Sequence, residues 1–248
     1  MKLTGVEKKL GDFSLDIESL AVPGPGIYGL VGPNGSGKST VAKLMAGLLE
    51  PDRGTVDTEG LGLRDITLLS RKPYLLNDSV YNNLLYPLRL RSIKPEPHLI
   101  DEYLERMGLS DRRKQKARSL SSGEQQKLAF LRALIFKPRF IIADEAMTAL
   151  DIDSQDLFEK LTLETVKKDN ITWLIISHQM PHIRRLAGHI FFLYRGKIEA
   201  EGSMEEMLLQ SSNQHLRQYL RVYGGAFGSA FGGEAPEDSP PEIPADAK

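Results

Sequence analysis

The 248-residue chain contains no cysteine and no long hydrophobic run, and its opposite charges nearly cancel. Each of these absences excludes something. Without cysteine there are no disulfides, no thiolate metal ligands and no cysteine nucleophile. Apolar stretches fall short of the roughly 18 uninterrupted residues that a bilayer-crossing helix needs, so the chain is not expected to span a membrane by itself. The opening residues, Met1 to Lys9, lack the apolar h-region of a secretory signal, and export is not expected. With 32 Lys and Arg against 33 Asp and Glu, net charge is −1. The one basic run, Arg112 to Arg118, is local and reads as a solvated face, so nucleic acid is not an expected partner. What is present is 41% hydrophobic and 26% charged residues, enough apolar material to order a sizeable core.

Charge is unevenly placed. Residues 224–248 hold five acids, one base, five glycines and four prolines, a composition with little to bury, and a disordered acidic tail is expected there. Residues 1–223 then form the folded domain. Within it, short apolar runs alternate with helical stretches, the pattern of an α/β fold. Strands are expected at 27–31, 66–70, 140–143, 171–177 and 189–194. Several are almost wholly apolar, as parallel strands covered on both faces are. The alternation from Lys2 to about Leu20 predicts an antiparallel sheet ahead of that core. A helical insert is expected from about 79 to 137, broken by Pro87, Pro95 and Pro97 into short helices. Its last helix opens near Ser122 and is stopped by Pro138. Ser203 to Glu206 reads as a capping box.

Two constellations carry chemistry. Gly32-Pro33-Asn34-Gly35-Ser36-Gly37-Lys38-Ser39, followed by Thr40, fits G-x-x-x-x-G-K-[ST] between an apolar strand and a helix. In that setting glycines let the backbone wrap closely, so successive N–H groups and a helix N-terminus face anionic phosphates. Lys38 is placed to reach the β- and γ-phosphates and Ser39 to put its hydroxyl on Mg²⁺. The second constellation is Phe140-Ile141-Ile142-Ala143-Asp144-Glu145, an apolar strand ending in two carboxylates. Asp144 would hold the magnesium through water, and Glu145 would orient and deprotonate the attacking water. His178 and His182 stand four apart, but Pro181 intervenes and no third ligand is evident, so no separate metal site is expected.

Together with Leu120-Ser121-Ser122-Gly123-Glu124-Gln125-Gln126, these residues resemble the nucleotide-binding subunit of an ATP-binding cassette (ABC) transporter. The last segment is similar to that family's L-S-G-G-Q signature. Ala149-Leu150-Asp151 is similar to the loop after its acidic strand, and His178 to its switch histidine. The likeness covers about residues 3–215. It implies a P-loop NTPase fold with a RecA-like core, an antiparallel β subdomain and a helical insert. It implies an ATPase using ATP and Mg²⁺, with two copies facing head to tail, so that each ATP lies between one phosphate loop and the other copy's Ser121, Ser122, Gly123 and Glu124. It further implies that His178 contacts the γ-phosphate and that Asp151 lies at the dimer contact.

Three departures stand out. Arg71 follows the strand 66–70 where the family usually has Gln. Either the loop aligns differently, or metal coordination and coupling differ, because a guanidinium is a fixed cation that accepts no hydrogen bond. Ser122 stands where Gly is usual, and Ala146 where Pro is usual. The adenine-stacking position falls on Leu10, with Phe13 nearby and expected in the core. The resemblance implies separate membrane-spanning permease subunits, a location on the cytoplasmic face of the membrane and, through the complex, an extracytoplasmic solute-binding protein. A single nucleotide domain on its own chain suits a prokaryotic importer, and residues 71–84 are similar to importers of small oxyanions such as tungstate or molybdate. A soluble cassette ATPase without a transport role, and a weakly hydrolysing nucleotide-binding regulator, are the alternatives.

Overall fold

A computed structural model describes residues 1–178, 180–207 and 212–224. Apart from Gly224, the expected acidic tail lies outside the described residues. The chain begins with β1 (Lys2–Leu10) and β2 (Phe13–Ala21), an antiparallel pair, and β4 (Arg53–Asp57) joins β1 on its other side. The second sheet has the order β5 (Ile66–Ser70), β6 (Phe140–Asp144), β7 (Thr172–Ile176), β3 (Gly26–Val31), β8 (His189–Tyr194) and β9 (Lys197–Ser203). Its first five strands are parallel, and β9 runs antiparallel to β8.

Helix α1 (Lys38–Met45) fills the space between the two sheets. Its Val41, Ala42, Leu44 and Met45 pack with Leu3, Leu15 and Ile17 of the antiparallel sheet and with Leu30, Ile142, Leu174 and Ile176 of the parallel one. The opposite face of the parallel sheet carries Val31, Ile141, Trp173 and Ile175. It is covered by α2 (Val80–Leu90), α3 (Pro97–Arg106), α4 (Ser122–Leu134), α5 (Ile152–Asp169) and α6 (Met180–Leu186). Successive strand residues therefore enter different cores, which is why these strands read as unbroken apolar runs. Trp173 is fully buried and donates its indole N–H to Thr165 Oγ1 at 3.1 Å, which satisfies the one polar atom of that side chain.

The helical insert differs from the sequence expectation at one point: α2 runs through Pro87 rather than stopping there. The side chain of Ser79 caps its start by accepting from the Asn82 N–H. Pro87 is buried beside Leu84 and Leu88, and Arg91 donates to the Pro87 carbonyl at 3.3 Å. Burial of that face offsets the missing proline N–H, and the C-cap Arg91 satisfies the Pro87 carbonyl near the helix end. The other two prolines act as breaks, with Pro97 opening α3. Ser203 and Glu206 form the expected reciprocal cap, at 2.8 and 3.2 Å.

Helices α5 and α6 are joined by a polar cluster. Glu159 accepts from Arg185 at 2.7 and 2.6 Å and lies 2.7 Å from His182 Nδ1. Burial pushes the Glu159 carboxyl up, but the bonds from Arg185 and His182 outweigh it and hold it below its ordinary value. A depressed carboxylate contributes stability that is complete above the unfolded value and is lost as pH falls through the folded one. Glu159→Gln is therefore expected to lower stability near neutrality and to flatten the acid-side loss between about pH 5 and pH 3. Urea midpoints across that range check this, and an unchanged acid slope would count against the assignment.

Candidate nucleotide site

The phosphate loop leaves the end of β3 at the middle of the parallel sheet and closes at Gly37, whose φ of 108° starts α1. A side chain at Gly37 would lie 2.7 Å from the Phe13 ring and 2.9 Å from Leu15. At Gly32, with φ 152°, it would lie 2.0 Å from the Leu193 carbonyl oxygen. These two glycines are demanded by contact as well as by conformation. The loop is pinned from outside, since the Gly196 N–H donates to the Ser36 carbonyl at 2.9 Å. Lys38 is buried, and its ammonium donates to the carbonyls of Gly32 and Pro33, each at 2.8 Å. Burial pulls that ammonium below its ordinary value, with Glu145 and Asp144 acting in the opposite direction.

Strand β6 ends level with β5, Asp144 opposite Ser70. This brings Asp144, Glu145 and Arg71 into one cavity of about 500 Å³ with Phe13, Asn34, Gly35, Gly37, Lys38, Ser39 and Thr40. Ser39 is hydrogen-bonded to the Asp144 side chain, while burial pushes the Asp144 carboxyl up. Two hard oxygen donors, one hydroxyl and one carboxylate, suit Mg²⁺, which takes few protein ligands and completes its shell with phosphate and water. Among the described residues there is no cluster of three or more His, Cys, Asp or Glu able to hold a metal.

Glu145 sits in the left-handed region at φ 51°, a conformation that costs an ordinary residue about 1–2 kcal/mol. Its N–H donates to the Ile176 carbonyl at 2.9 Å, and its carbonyl accepts from Thr148 Oγ1 at 3.0 Å. The backbone is thereby fixed, with the carboxylate toward the cavity. One carboxylate oxygen lies 3.0 Å from His178 Nδ1, and the other accepts from Arg71 at 3.3 Å.

Sequence reasoning identified Asp144, Glu145, His178 and the whole phosphate loop, and the structure brings these together. Arg71 lies at the strand end as expected, and its ion pair with Glu145 is new. Phe13 is half-buried: it packs on the core around α1 and also lines the cavity. Leu10, its cross-strand partner, is 43% exposed.

Ser121, Ser122, Gly123 and Glu124 do not line this cavity. Ser121 caps α4, and Glu124 reaches back to the Ser121 N–H at 2.9 Å, so that its carboxyl is held below its ordinary value. Gly123 approaches the Ala149 carbonyl, which sets the exposed Ser121 and Ser122 near a loop whose Ala149 and Asp151 are exposed and whose Leu150 is buried. Asp151 caps α5 by accepting from the Ser154 N–H at 2.8 Å.

The sequence reading missed α7 (Gln214–Tyr223), whose Tyr219 hydroxyl donates to the His178 carbonyl at 3.4 Å. Leu216, Tyr219 and Leu220 are buried along one face, a helical spacing that was legible. The contact was not, because it joins residues 41 apart.

A strand–loop–helix phosphate cradle facing an acidic pair, within a parallel sheet, defines a P-loop ATPase. The family model for ABC transporters matches residues 15–148. The tungstate uptake ATP-binding protein TupC of Peptoclostridium acidaminophilum is 36% identical over 199 residues, 77% of this chain and 93% of that protein. The phosphate import ATP-binding protein PstB of Saccharolobus solfataricus is 30% identical over 79% of this chain and 84% of its own length. A post-hydrolysis dimer of the ATP-binding cassette MJ0796, bound to ADP and Pi, matches at a TM-score of 0.72 and 25% identity, over 82% of this chain and 98% of that one. The chain belongs to the ABC transporter family, as an ATP-binding subunit, and is an ATPase. Among the described residues no helix is long and apolar enough to cross a membrane.

Proposed function

We propose that the chain energises an importer of a small oxyanion, with its membrane-spanning subunits on separate chains and two copies working head to tail. The observation that carries this reading is the separation of the two halves of the machinery. Phosphate loop and acidic pair line one cavity, with His178 against the Glu145 carboxylate, while Ser121 and Ser122 stand exposed and outside that lining. A second copy would supply those donors, with the α4 N-terminus behind them, to the terminal phosphate.

In this reading the loop N–H groups from Asn34 to Thr40 and the Lys38 ammonium hold the phosphates. Ser39 and Asp144 would hold Mg²⁺, which would neutralise charge on the terminal phosphates. Glu145 takes a proton from the attacking water, and His178 steadies the carboxylate. Phe13 closes against Gly37 and supports the loop from below. ATP would stabilise the closed dimer, and loss of the terminal phosphate would open it, turning a chemical step into movement. Asp151, at the exposed loop beside the signature, would lie between the two copies.

The importer reading is supported by the named solutes of relatives, tungstate, phosphate and, at 27–31% identity, methionine, and the oxyanion reading by tungstate at 36%. A peripheral position on the cytoplasmic face and an extracytoplasmic binding protein follow from it. The test is purification of the tagged full chain from detergent-solubilised native membranes. Stoichiometric recovery with a multi-span protein, and ATP turnover of the complex stimulated by an oxyanion-loaded binding protein, are expected. Recovery with soluble proteins alone would move the reading to a non-transport cassette ATPase.

A further inference from the structure

Among the described residues, Arg71 is the cavity-lining cation that touches the carboxylate proposed as the base. Its guanidinium lies 3.3 Å from Glu145 Oε2, while Glu145 Oε1 is 3.0 Å from His178. The Glu145 side chain is only 14% exposed and its backbone is fixed, whereas that of Arg71 is 66% exposed on a long stem. Both carboxylate oxygens are thus engaged. A water can still share Oε2, but the ion pair fixes the direction in which the carboxylate meets it. A neutral amide at position 71 would impose no such charge-assisted restraint.

The segment bearing Arg71 is also tied to the helical layer. Gln126 of α4 donates to the Ser70 carbonyl at 3.3 Å, Arg118 to the Leu75 carbonyl at 3.1 Å and Arg132 to the Tyr74 carbonyl at 2.6 Å. Asn83 of α2 accepts from the Leu76 N–H at 2.9 Å. These bonds hold the end of β5 and the segment 74–76 against the helical layer, and so fix the backbone on both sides of Arg71.

We infer that Arg71 is a positioning residue that restrains Glu145 and keeps turnover of the isolated chain low. This rests on the reading of Glu145 as the base. The pair is partly exposed, so its effect is modest: a two- to fivefold change in rate, equivalent to about 0.4–1 kcal/mol.

The test uses the full chain at saturating Mg²⁺ and ATP. Arg71→Gln is expected to raise kcat two- to fivefold with KM unchanged within twofold, and Arg71→Lys, which keeps the cation, to stay near the unsubstituted rate. A double-mutant cycle of Arg71→Gln with Glu145→Gln, followed by thermal midpoint, reads the pair without turnover. Midpoints that depart from additivity by about 1–3 °C are expected. Unchanged or lowered kcat in Arg71→Gln, or additive midpoints, would overturn the inference. The underlying reading fails differently, through turnover that survives Glu145→Gln alone.

Discussion

Glu145→Gln is expected to lower ATP turnover by about 10²–10⁴-fold while nucleotide binding stays within a few-fold of the unsubstituted chain. The substitution keeps the shape of the side chain at a position whose backbone is held by Ile176 and Thr148, so the loop geometry survives. It removes the capacity to accept a proton from water, and only that capacity is needed in the chemical step and not for binding. Phosphate release at saturating ATP measures the loss, and titration with a fluorescent nucleotide measures what remains of binding. Residual turnover above about a tenth of the original would remove Glu145 from the role of general base, because the effect of such a group is at least an order of magnitude larger.

The second large effect is structural. Gly32→Ala is expected to destabilise the chain by more than about 3 kcal/mol, since the new Cβ would lie 2.0 Å from a backbone carbonyl oxygen that cannot turn aside. That carbonyl belongs to Leu193 in β8, a strand paired to β3, and the two strands would have to separate where the phosphate loop begins. In a chain of this size the loss corresponds to a fall of about 6–12 °C in thermal midpoint. Gly35→Ala is the control. Gly35 also has positive φ, at 76°, but its Cβ would meet nothing within 4 Å. Only the conformational cost of about 1–2 kcal/mol is expected there. Equal losses in the two variants would show that backbone conformation, and not the approach of Leu193, decides the need for glycine.

The chemistry of the site was legible because it depends on residue types at short spacing. Eight consecutive residues carry the phosphate-loop pattern, and two adjacent carboxylates stand at the end of one strand. The parallel sheet was legible for a related reason: strands buried on both faces are nearly continuous apolar runs, and five of the seven residues 171–177 are apolar. The course of α2 through Pro87 was not, because a local rule about proline gives way when burial of Leu84, Leu85, Pro87 and Leu88 along one face offsets the lost bond. For α7 the spacing was present, but its purpose depends on Tyr219 meeting a carbonyl from another part of the chain.

Arg71 shows the division most clearly. By itself the sequence established a cation at the end of β5 in a place where a neutral amide is usual, and left two readings of it. Strand register shows what that cation meets, because Ser70 stands opposite Asp144 and so carries Arg71 to the carboxylate that follows. The same holds for Gly32: the motif demands the glycine for wrapping, but only the packing of β8 against β3 supplies the carbonyl that forbids a side chain. Spacing along the chain determines which groups are available, since covalent geometry fixes short-range order. Which charge meets which is determined by contacts between residues 74 apart in the case of Arg71 and Glu145, and these exist only once the sheet has closed.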